Sequence, residues 1–70
     1  MKTLTKLGFK IAQVFQGITT MTNRTTGMII ESERDEATGV YNWYLFDSSD
    51  TLVFKGTGTA DIEKYLEGVA

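Results

Sequence analysis

From Ile18 onward the chain reads as short runs of β-branched and aromatic residues broken by turn-forming clusters. The runs are residues 18–22, 28–34, 40–47 and 51–55, and each has the length and composition of a strand. Two of the breaks share one pattern. Asn23-Arg24-Thr25-Thr26-Gly27 and Asp35-Glu36-Ala37-Thr38-Gly39 both read Asn/Asp-x-x-Thr-Gly. An Asn or Asp at the first position can accept a hydrogen bond from its own backbone two residues on, and a glycine at the last position can take the left-handed conformation that closes a hairpin. Asp47-Ser48-Ser49-Asp50 supplies a third turn. The expectation is a four-stranded antiparallel meander.

The two ends of the chain follow a different period. Ile62, Tyr65, Leu66 and Val69 recur at helical spacing behind Thr59, a candidate N-cap, and Gly68 would stop the helix, so residues 60–68 read as helical. At the amino end, Leu4, Leu7, Ile11, Val14, Phe15 and Ile18 fall on one helical arc, with Lys2, Lys6 and Lys10 on the other side. Gly17 would cap such a helix. Residues 3–16 are therefore expected to be helical, which leaves Phe9 on the polar side. The alternative is a strand; it fits the content of Phe9, Ile11, Val14 and Phe15 but needs a bulge, because Val14 breaks the alternation. The fold class is α+β: two layers, with both helices on one face of the sheet.

Composition bounds how such a fold can be stabilised. Seventy residues form a single domain, 1–70, with no cysteine and no histidine, so neither a disulfide nor a Cys/His metal site can reinforce the core. Hydrophobic residues make up 41% of the chain, enough for a thin core, and self-association is a natural expectation at this size. Lys6, Lys10, Gln13 and Gln16 interrupt the amino-terminal apolar residues, so they do not form a signal peptide. No segment approaches the ~20 apolar residues of a membrane span. The expected location is cytoplasmic.

The net charge of −2 is unevenly distributed. Lys2, Lys6, Lys10 and Arg24 are the only charges in residues 1–24; all nine acids follow, against Arg34, Lys55 and Lys64. A basic segment of this kind can meet phosphates, which makes Lys2, Lys6, Lys10 and Arg24 the candidates for a nucleic-acid contact. A pI of about 4.9 and so few lysines argue for a solvated face instead.

Little else suggests chemistry. Without histidine or cysteine there is no Ser–His or Cys–His nucleophile. Glu31 and Glu33 share a strand face but lack a cleft, and Asp47-Ser48-Ser49-Asp50 lacks the ligand spacing of a calcium loop. Gly56-Thr57-Gly58-Thr59 lacks the lysine of a phosphate-binding loop. The unusual stretch is Tyr41-Asn42-Trp43-Tyr44-Leu45-Phe46, apolar on both sides of a strand. If helices cover one face, either Tyr44 and Phe46 with Val53, or Tyr41 and Trp43, lie on the other.

Together these observations predict a non-catalytic binding or regulatory module without cofactor or metal. Its protein contacts, or a homodimer interface, would use the open face of the sheet through Tyr41, Trp43, Tyr44, Phe46 and Val53. The overall character, Thr-rich with tight hairpins and lacking Cys, His and Pro, is similar to that of small accessory proteins of bacteria and their phages. No motif carries that likeness, and it gives no residue a role.

Overall fold

A computed structural model describes residues 2–69. The order of elements is α1 (Lys2–Lys6), β1 (Phe9–Phe15), β2 (Ile18–Asn23), β3 (Ile29–Arg34), β4 (Tyr41–Phe46), β5 (Leu52–Gly56) and α2 (Thr59–Val69). The strands form one antiparallel meander in the order β1-β2-β3-β4-β5. The sheet has five strands rather than four, because most of the expected amino-terminal helix is a strand. Helix α1 ends at Lys6, and Gly8, at φ 103°, turns the chain into β1. At the far end of β1, Gln16 (φ 49°) and Gly17 (φ 80°) both take positive φ, the signature of a two-residue type I′ hairpin. Gly17 is thus a turn residue and not a helix cap.

The strand also contains the irregularity its sequence demands. Ile11 pairs with Met21 but Gln13 pairs with Thr20, so Ala12 is an extra residue in a bulge. The bulge places Ile11 and Val14 on the same side of the sheet, opposite Met21 and Thr19.

Register assigns every strand residue to a face. Ile11, Met21, Ile30, Leu45 and Phe54 form one continuous row across all five strands on the helix side. Leu4 of α1 and Ile62 and Leu66 of α2 close over the middle of this row and over Phe9, giving a buried core of Leu4, Phe9, Met21, Ile30, Leu45, Ile62 and Leu66. Phe9, expected on the polar side of a helix, is among the most buried residues, at 1% exposure. Met28, Trp43, Phe54 and Tyr65 pack around this core, with the rings of Phe54 and Tyr65 stacked at 4.8 Å.

The repeated turn is built the same way both times. Asn23 and Asp35 accept a side-chain hydrogen bond from the N–H two residues on, at 3.0 Å from Thr25 and 2.9 Å from Ala37. Their carbonyls accept from Gly27 and Gly39, whose φ values are 77° and 74°. The Thr26 and Thr38 hydroxyls accept from Met28 and Val40. Every fixed position of Asn/Asp-x-x-Thr-Gly therefore has a bonding role. The first copy does more: Asn23 is 3% exposed, its Oδ1 also accepts from the Thr26 N–H, and its Nδ2 donates to the Leu7 carbonyl at 2.9 Å. Asp47 opens the third turn by accepting from Ser49 and Thr51.

Helix α2 starts at Thr59 and runs through Gly68, past the expected stop. Its first turn is fastened to the end of β5, where Asp61 Oδ2 accepts from the Thr57 N–H at 3.1 Å. A Cβ on Gly56 would lie 2.7 Å from the Asp61 Cβ, so only glycine lets the helix approach this closely.

Two stability predictions follow from these contacts. Replacing Asn23 by Asp removes the donor to Leu7 and faces its carbonyl oxygen with a carboxylate in a buried site. Asn23→Asp should lower the unfolding free energy by about 1–3 kcal/mol, whereas the reverse exchange in the exposed copy, Asp35→Asn, should change it by less than about 0.5 kcal/mol. Urea titration of the two variants measures the difference. Gly56→Ala should destabilise by about 1–3 kcal/mol through overpacking against Asp61. Gly58→Ala, where a Cβ meets nothing within 4 Å, should cost much less, and thermal unfolding of the pair checks it.

Candidate protein-binding surface

The residues proposed from sequence as a binding strip separate onto two faces. Trp43 lies on the helix side, half-buried and packed on the core, and Tyr41 follows it on that side, exposed, beyond the helices and paired with Arg34. Tyr44 and Phe46 lie on the open face, both half-buried. The Lys55 ammonium sits 5.6 Å from the Tyr44 ring centroid, a cation–π distance, and Phe46 is flanked by Ile29 and Leu52 in its cross-strand row. Val53 is the extra residue of a bulge in β5, between Phe54 opposite Leu45 and Leu52 opposite Phe46. The aromatic strand is thus enclosed by β3 and β5, and its side chains are mostly shielded by their neighbours.

The largest apolar exposure lies at the opposite edge. Along β1, Ile11 is 56% exposed, Val14 66% and Phe15 60%, and Ile18 across the hairpin is 37% exposed. Ile11 and Val14 occupy the helix side where neither helix reaches; Phe15 and Ile18 form a cross-strand pair on the open face. Five of the six residues from Leu4, Leu7, Ile11, Val14, Phe15 and Ile18, the expected buried stripe, are exposed, and only Leu4 is in the core. Sequence reasoning missed this surface because it placed these side chains on the buried arc of a helix. The signal that could have revealed it is Gln16-Gly17 between two β-branched or aromatic runs, a two-residue hairpin pattern.

The open face beside Phe15 and Ile18 is polar and shallow. Gln13, Thr20 and Glu31 line a depression of about 200 Å³ with Phe15 and Ile18. A wider one of about 400 Å³ opens at the β3–β4 turn between Gln16, Glu33, Arg34, Asp35 and Glu36. Glu31 and Glu33 project beside each other on this face, but among the described residues no group of three or more acidic side chains is arranged to hold a metal ion. Asp47, read from sequence as a turn residue in preference to a calcium ligand, spends Oδ1 on two backbone N–H groups.

The candidate nucleic-acid residues do not form a helical stripe. Lys6 ends α1, Lys10 lies on β1 opposite Thr22, and Arg24 is in the β2–β3 turn, all exposed; the side chain of Lys2 lies outside the described residues. Among the described residues no helix is long and apolar enough to cross a membrane. The chain matches no family model, no curated protein and no solved structure, so the geometry of its own surface carries the functional reading.

Proposed function

We propose that this chain is a non-catalytic protein-binding module whose contact surface is the edge strand β1 with the adjoining Phe15–Ile18 corner of the open face. One observation carries the reading: β1 is an edge strand that exposes large apolar side chains on both sides of the sheet. Fully burying a Val, Ile or Phe side chain is worth about 1.5–3 kcal/mol, and more than half of each of Ile11, Val14 and Phe15 remains in water. An uncovered edge of this kind is a template for pairing with another strand. The opposite edge is different, since α2 packs on β5 and the Val53 bulge interrupts it. This reading moves the contact surface away from Tyr44 and Phe46, which neighbours already shield.

The test is retention on immobilised protein of either a defined protein from the source cells or an untagged copy of the same chain. Phe15→Lys and Val14→Lys, both at exposed positions, should weaken retention by at least about tenfold, while Leu52→Lys on the far edge should leave it unchanged. Retention that survives both β1 substitutions would overturn the reading.

A further inference from the structure

We infer that the occupant of the β1 edge is a second copy of this chain, paired antiparallel through β1 about a two-fold axis between Ala12 and Gln13; this rests on the β1 reading above. The bulge at Ala12 decides which side chains of β1 share a face. In a regular strand, residues an odd number apart face opposite sides of the sheet. Here Ile11 and Val14, opposite Met21 and Thr19, share the helix side, while Lys10 and Phe15, opposite Thr22 and Ile18, share the open side. The faces of Lys10, Ile11, Val14 and Phe15 are therefore symmetric about the point between Ala12 and Gln13. Antiparallel pairing of two copies about that point sets Ile11 against the partner copy's Val14, and Val14 against its Ile11, on the helix side. It sets each Lys10 beside a Phe15 on the open side.

The backbone agrees with this register. In a two-residue hairpin the residues that flank the loop exchange hydrogen bonds, and the antiparallel ladder then alternates. Counting back from Gln16-Gly17, Val14 turns its N–H and C=O outward, and so, past the bulge, does Ile11. The same two residues that match as apolar side chains thus present the free main-chain groups. Such a contact is isologous and closes on itself, leaving the α2-covered β5 strands as the outer edges of a ten-stranded sheet.

Charge distribution favours a second copy over a charged peptide. Lys10 is the only charged residue of β1, so the strand offers little to attract an acidic segment. In the two-fold register, each Lys10 lies opposite Phe15, about 16 Å along the strand from its counterpart, which is beyond the screening length of roughly 8 Å at physiological salt.

The chain contains no cysteine, which allows a direct test. Ile11→Cys and Val14→Cys chains should form a disulfide when mixed under mild oxidation. Neither alone should, because like positions lie about 10 Å apart in this register, too far for a disulfide bridge. Light scattering of the unsubstituted chain should give twice the 7.8 kDa monomer mass, and Val14→Lys should give the monomer mass with an unchanged far-UV spectrum. A single-chain mass at all concentrations, with no cross-link in the mixture, overturns the second-copy inference. If Phe15→Lys still abolishes retention of a different protein in that case, the β1 binding surface itself stands. A dimer that forms cross-links equally well in the unmixed variants overturns the register and with it the proposal.

Discussion

The Asn23 side chain is the constraint on which the amino-terminal half depends. Its Oδ1 holds the β2–β3 turn by accepting from Thr25 and Thr26, while its Nδ2 reaches sixteen residues back to the Leu7 carbonyl. One buried amide therefore fixes a local turn and the point where α1 gives way to β1. Gly8 is drawn in against it; a Cβ there would lie 3.2 Å from Nδ2, and the positive φ independently favours glycine. With Leu7 and Gly8 placed, Phe9 pairs with Asn23 and enters the core. Every later orientation in β1 follows by alternation from Phe9, up to the bulge.

This explains why two copies of one turn motif carry different first residues. Both copies need an oxygen that accepts a backbone N–H, and Asn and Asp supply it equally. Only the first also needs a donor, because only it faces another element. A carboxylate would meet the Leu7 carbonyl with two acceptors and no proton, at a residue only 3% exposed. The second copy sits at the exposed end of the β3–β4 hairpin, where Asp35 has water available. The choice between Asn and Asp thus records which turn is part of the tertiary structure.

Elements whose cause is local could be read from the sequence. The three turns from Asn23 to Asp50 and the four strands around them were readable because each turn residue bonds within its own loop. Helix α2 was readable because Ile62 and Leu66 face the core at a clean helical spacing. The amino-terminal third was ambiguous, since its apolar residues fit a helical arc and a bulged strand about equally. The deciding factor is non-local: β2 has a free side, and pairing β1 there satisfies backbone groups along its length, with the Gln16-Gly17 turn setting the register. The apolar exposure of β1 was hidden for the same reason. Residues 41–46 look two-sidedly apolar because they form an interior strand, and nothing local in Tyr41–Phe46 says so.

The apolar surplus at β1 follows from using one segment for a strand when it could have been a lid. Had residues 3–16 formed a helix, their apolar arc would have covered the sheet from Ile18 toward the core. With residues 9–15 in β1 the sheet gains a strand, and about three turns of the expected helical cover are lost. The cover that remains is α1, five residues long, over the start of β1, and α2 over β4 and β5. The row through Val14, Thr19, Ser32 and Trp43 runs out from under the helices, and Val14 at its end is 66% exposed, with a strand on its inner side only. The meander and its turns take up residues 9–56, and among the described residues the two helices that remain lie over the start of β1 and over β4 and β5. The missing cover at β1 is for that reason a geometric consequence of the five-stranded topology.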